Sequence, residues 1–431
     1  MGYCAARMKP PEPKRPANLV VRIFRLMGPG VITGAADDDP SGIATYSIAG
    51  AQLGTRLLWT SVVTWPLMGA VQMMCARIGM VTGEGLASGL RNKLPRWVCF
   101  AFVIALTLAN TINVGADLSG MADAGELLTG LNSRWFVVLF GIGIAWASVR
   151  FRYQQIAQLL KWLVLSLGAY VLTAFLTHPH WGAVLHDTFV PNWPRDRAAW
   201  GMVVAILGTT ISPYLFFWQS AQEVEEEKAK GRRMIVLRHG ATGSEILDRK
   251  IDVGLGTFFS NVVMFFVILS CASTLHLHGV TQIETTKDAA KALEPLAGRG
   301  ATLLYTLGII GVGCLAIPTL AGSAAYAFAE TFDWTEGLDE PFEGAREFYA
   351  VLVLSITCGI VMNFLHLSPI KTLYWTAIIN GLLAPFLLIG IYLVATDEKL
   401  MKHQTSSRLS RVVVLVTIVA MFGAGVALFV V

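Results

Sequence analysis

The chain has 431 residues, of which 54% are hydrophobic and only 14% charged, and its net charge is +4. Soluble domains usually charge about a quarter of their residues. Here apolar runs of roughly 18 or more residues recur along the whole length, which excludes a soluble globular class and indicates an all-α polytopic membrane protein in a lipid bilayer. The small basic surplus sits in loops, where topology explains it, and nucleic acid is not an expected partner.

In chain order, the opening stretch MGYCAARMKPPEPKRPANLVVRIFR is basic and proline-rich and lacks a short apolar core followed by a cleavage site. Residues 1–18 therefore read as a cytoplasmic tail and not as a cleaved signal. Eleven spans are predicted, at 20–54, 57–78, 96–114, 134–149, 157–177, 199–220, 252–276, 301–329, 346–366, 370–396 and 411–431, the first and sixth interrupted. Arg7, Lys9, Lys14, Arg15, Arg22 and Arg25 in the tail share one side with the basic loops after spans two, four, six and ten, which hold Arg91, Lys93 and Arg96, then Arg150 and Arg152, then 228–250, then Lys399, Lys402 and Arg408. That distribution places the N-terminus in the cytoplasm and the C-terminus outside, in the plasma membrane. The acidic stretch 330–347 disagrees, but acidic residues weigh little in orientation.

The six cysteines are scattered without a CxxC pair and read as small buried hydrophobes. The loop 223–250 reads as a solvated helix end and linker, and His178 and His180 as ordinary loop residues.

The first interruption is GAADDDPSGIATYS, residues 34–47. Pro40 lacks a backbone donor and disfavours helix at Asp39, while Ser41 and Gly42 let the chain unwind. Carboxylates and free carbonyls at membrane depth cannot face lipid, so they must be buried in protein or line an aqueous cavity. The sixth span repeats the device with Pro213 inside MVVAILGTTISPYLFFWQSAQE. Aligning the two prolines sets 39–47 over 212–220. Matching interruptions imply a five-plus-five inverted repeat, residues 19–177 and 199–396, with 411–431 as an added eleventh helix and a substrate site near the bilayer midplane. Asp39, Ser41, Thr209, Thr210, Ser212, Tyr214 and unwound carbonyls would form an all-oxygen environment suited to a hard cation.

GPGVITGAADDDPSGIATYSIAGAQLG resembles the first helix of the NRAMP transition-metal transporters, whose signature there is Asp-Pro-Gly-Asn. The resemblance extends over essentially the whole chain, including LLAPF at 382–386 in the tenth helix. It implies the LeuT-type fold with broken helices 1 and 6. The family's Asp falls on Asp39 and its Asn on Gly42. Its sixth-helix Met-Pro-His falls on Ser212, Pro213 and Tyr214, and a second His on Gln219. Its third-helix Asp-Leu-Ala-Glu falls on TLAN, so that Thr107 and Asn110 replace the carboxylates linked to proton transfer. The tenth-helix Gln falls near Ala377, with Thr376 and Asn380 beside it.

This pattern is similar to the NRAMP-related magnesium transporter branch. It implies a non-enzymatic, monomeric importer that has no cofactor and carries Mg²⁺ or Mn²⁺, partly hydrated, by alternating access and without protons. Asp37 and Asp38 would attract the ion, line its access path or be held by an arginine. A cryptic proton route through Asp37, Asp38 or Asp117 stays open, as do a proton-coupled Mn²⁺/Fe²⁺ transporter and a sodium-coupled organic-solute transporter of the same fold.

Overall fold

The computed structural model describes residues 28–151, 165–283, 285–365 and 368–431, which form helices and turns with no strand among them. The first half contains α1 (Pro29–Asp37), α2 (Pro40–Leu53), α3 (Trp59–Thr82), α4 (Leu86–Lys93), α5 (Arg96–Thr129), α6 (Ser133–Arg150), α7 (Gly168–Leu176) and α8 (Trp181–Phe189). The second contains α9 (Arg197–Thr210), α10 (Pro213–Ala229), α11 (Gly243–Thr274), α12 (Ala301–Phe332), α13 (Arg346–Met362), α14 (Pro369–Ala395) and α15 (Arg408–Val430), with shorter turns between. The N-terminal tail with its basic residues, Arg152 and the first part of the fifth predicted span lie outside the described residues.

The two interruptions have one construction. α1 stops at Asp38 (φ −80°, ψ 51°), Asp39 is extended (φ −67°, ψ 170°), and Pro40 opens α2. α9 stops at Ile211 (φ −117°, ψ 57°), Ser212 is extended (φ −76°, ψ 135°), and Pro213 opens α10. Proline is favourable at a first helical position, where its missing N–H is no loss, and it forces the preceding residue out of helix. The two breaks therefore follow directly from the two prolines.

Among the described residues, seven segments are long and apolar enough to cross a membrane, counting α9 with α10 as one. The α9–α10 segment is the most enclosed, with 94% of its apolar stretch buried, against 33% for α13 and for α15. The centre of the bundle is thus the second broken helix. Around the periphery, Trp97, Trp135, Trp146, Leu354, Val419 and Phe429 are exposed, in keeping with helices that face lipid. α1 and α2 pack on α11, and α5 packs along α12. At the α1–α11 crossing the backbones nearly touch: a Cβ added at Gly34 would sit 2.4 Å from the Gly256 carbonyl.

Two expectations are corrected. The third span continues past residue 114 to Thr129 as one helix, because Asp117 faces inward and does not end the element. The 223–250 segment is not simply solvated. α10 continues to Ala229, Glu223 and Glu227 are buried, and Arg249 lies among carboxylates. Its Nε is 2.7 Å from Glu223, its Nη1 is 2.5 Å from Asp252, and it also pairs with Glu226. Glu225 and Glu227 are paired with Lys228, Lys230 and Arg232, so each acid of that run has a cationic partner.

Candidate cation site

The construction of the break decides where Asp39 points. As the N-cap of α2, its Oδ1 accepts from the Gly42 N–H at 2.7 Å and from Ser41 Oγ at 2.7 Å, the usual way for an Asp to satisfy a helix start. Its Oδ2 accepts from Asn113 Nδ2 of α5 at 3.0 Å. Asp39 and Ser41 are each 1% exposed. Gly42 matters through what it lacks: a Cβ there would meet Thr209 Oγ1 at 3.0 Å. Thr209, at the end of α9, has the Tyr46 hydroxyl as a polar neighbour of its own. The two breaks therefore meet at Gly42 and Thr209.

The other predicted residues divide by what their polar atoms already do. Tyr214 donates its hydroxyl to the Ala36 carbonyl at 2.9 Å, tying the second break to the end of α1. Ser212 donates to the Gly208 and Thr209 carbonyls, both at 2.7 Å. Thr210 donates to Ile206 O, and beside Ser212 it lines a small gap toward Met68 and Gln72 of α3. Thr376 donates to Leu373 O, whereas Asn380 keeps an unpartnered Oδ1 in a buried position on α14. Thr107 donates to Val103 O and is half-buried. Asn110 donates to Leu320 O and Ser323 Oγ of α12, and Gln219 to Glu223 Oε1. None of these last three is an acid or base.

Asp37 and Asp38 meet no arginine among the described residues. Instead Ser260 Oγ of α11 lies 2.6 Å from Asp37 Oδ2 and 3.3 Å from Asp38 Oδ1. Asp37 Oδ1 has no partner.

The residues that sequence reasoning underweighted are Asn113 and Asp117. Both are fully buried; Asn113 Oδ1 has no hydrogen-bond partner, and Asp117 has no side-chain partner and only the Ser41 N–H directed at it. Buried oxygens left unpartnered are costly. Carboxylate, amide and hydroxyl oxygens collected at two helix breaks make this the candidate cation site. Among the described residues, no three His, Cys, Asp or Glu side chains converge closely enough to enclose a bare metal ion. The arrangement instead offers few direct ligands.

A family model, Natural resistance-associated macrophage protein-like (Nramp), matches residues 30–431. The chain is 29% identical over 304 residues to a divalent metal cation transporter MntH of Yersinia pestis (strain Pestoides F), covering 69% of this chain and 71% of that one. It is 26% identical over 327 residues to the MntH of Aeromonas hydrophila, covering 72% and 75%. Among solved structures, the manganese transporter of Eremococcus coleocola superposes with a TM-score of 0.78 at 17% identity, over 97% of this chain and 88% of that one. Mhp1, a nucleobase-cation-symport-1 family transporter, superposes with a TM-score of 0.56 at 13% identity, over 93% and 92%. These superpositions establish the all-α LeuT-type fold with two broken helices.

Proposed function

The chain belongs to the Nramp family, and on that premise we propose that it imports a hard divalent cation, Mg²⁺ or Mn²⁺, by alternating access and without co-transported protons. Curated relatives are named divalent metal cation transporters, which supports the ion class. The observation that carries the choice of a hard ion is the second break. There the side chains flanking Pro213 are Ser212 and Tyr214, so no thioether is supplied where a soft transition metal would be held. Mg²⁺ gives up its water reluctantly and is usually bound by one or two carboxylates with several waters retained. A glycine at position 42 and the sparse direct ligand set suit such an ion.

The proposed ligands are Asp39, directly or through water, with Thr209 and the oxygens around the two breaks. Asp37 and Asp38 lie behind them on the α11 side. Tyr214, bound to Ala36, couples the two broken helices, so that opening on either side must strain or break that link. Asp252 caps α1 by accepting from the N–H groups of Gly28 (2.8 Å), Gly30 (2.8 Å) and Val31 (3.2 Å). With Arg249, Glu223 and Glu226 it forms the closure at the end we assign to the cytoplasm, with the C-terminus outside.

The absence of proton coupling is supported by Thr107, Asn110 and Gln219, which carry no titratable side chain. Two charges moving down 100 mV release about 4.6 kcal/mol, enough to drive uptake alone. The reading is tested by Mg²⁺ and Mn²⁺ uptake into proteoliposomes: wild type should accumulate both, and Asp39→Ala should accumulate neither. Equal uptake by the mutant would remove Asp39 from the site.

A further inference from the structure

We propose that Asp117 of α5 is the second carboxylate of this cation site and supplies more of its free oxygen lone pairs than Asp39 does. The inference rests on the divalent-cation reading above and adds a ligand from a different helix.

Helical register aims Asp117 at the break. Residues three and four apart share a face, and Asn113, Asp117 and Gly120 form one such row. Asn113 touches Asp39 directly. Gly120 lies under Pro40, whose Cβ would be 3.7 Å from a Cβ added at that glycine. The row therefore crosses the first break, with Asp117 between a residue bound to Asp39 and a residue packed on Pro40. The Asp39 charge acts on Asp117, and the Ser41 N–H is directed at its carboxylate.

Counting lone pairs separates the two acids. A carboxylate offers about four acceptor sites. Asp39 already accepts from Ser41, Gly42 and Asn113, which leaves it about one. Asp117 has only the Ser41 N–H directed at it, so about three remain. A structural aspartate at 0% exposure should be paired or capped, because an unpaired buried charge is strongly destabilising. Here no side chain supplies that partner, and a bound cation would. Two carboxylates match the charge of one divalent ion. Asn113 Oδ1, unpartnered, can hold a water that the ion keeps.

The test uses the full chain in detergent. Mn²⁺ and, separately, Mg²⁺ are titrated calorimetrically into wild type, Asp117→Asn and Asp117→Glu, and the melting temperature of each is recorded in chelator. Losing an outer-shell partner typically costs 10–100-fold in metal affinity, so losing a ligand should weaken binding at least about tenfold in Asp117→Asn. Asp117→Glu should recover part of that loss. In chelator Asp117→Asn should melt higher than wild type, since it removes an uncompensated buried charge. Unchanged affinity in Asp117→Asn, or a lower melting temperature or failed folding in chelator, overturns the assignment while leaving the transport reading intact. Wild type that neither binds nor carries a divalent ion overturns both.

Discussion

Asp252→Ala isolates the closure at the end of α1. The substitution removes the carboxylate that accepts from Gly28, Gly30 and Val31. It leaves Arg249 still paired with Glu223 and Glu226, so no orphan cation is created. A charged group at a partly buried helix N-terminus is worth up to about 2 kcal/mol. A hydrogen bond to a charged group is worth about 1.5–3 kcal/mol net, though three donors share one carboxylate and water replaces it once α1 lifts. Together these favour the docked α1 by about 3 kcal/mol, or roughly a hundredfold in the docking equilibrium.

Val253 reports that equilibrium, because it is 1% exposed and its backbone N would lie 2.7 Å from a Cβ on Gly30. In a chain otherwise free of cysteine, Val253→Cys should react with a membrane-impermeant thiol reagent in proportion to the undocked population. Adding Asp252→Ala should raise the rate about a hundredfold from the α1 side and leave it unchanged from the opposite side. An unchanged rate from both sides would refute the role given to Asp252.

Three further outcomes are expected. Gly42→Asn, crowding Thr209 Oγ1, should lower the Mg²⁺-to-Mn²⁺ uptake ratio by about tenfold, because a fixed ligand displaces water that Mg²⁺ gives up reluctantly; competitive uptake of the two ions measures it. Ser212→Met should confer Cd²⁺ uptake by adding a soft ligand at the second break, read as Cd²⁺ flux in proteoliposomes. Outside the spans, burial pushes the Glu336 carboxyl up to about 7, assisted by Glu225 and opposed by Lys228 and Arg238. A raised acid contributes stability that is complete below its unfolded value and lost as pH rises through about 7. The melting temperature should therefore fall between about pH 4.5 and 7, and Glu336→Gln should flatten that fall.

What could be read from the sequence follows from the range of each interaction. The breaks at 38–39 and 211–212 were legible because proline acts on its own neighbours. The all-oxygen chemistry at Asp39, Ser41 and Thr209 was legible because it lies beside those prolines. Asp117 was obscured because an acid in an apolar run looks like the end of a span until the neighbouring helices are known to enclose it. The pairing of Arg249 with Glu223 and the cap of Asp252 on Gly30 join residues 26 and 222 positions apart. No local pattern announces either. Tyr214 was placed at the site by alignment of the prolines, but its hydrogen bond to Ala36 could only come from the packing of one break against the other.

The central claim is that a hard divalent ion crosses alone. The most direct measurement is ion entry into proteoliposomes at a fixed potential, with Mg²⁺, Mn²⁺ and Cd²⁺ supplied separately and a lumenal pH dye recording protons. Mg²⁺ and Mn²⁺ should enter with no lumenal acidification, and Cd²⁺ should enter little. Entry of Mn²⁺ and Cd²⁺ with acidification, and none of Mg²⁺, would contradict the claim.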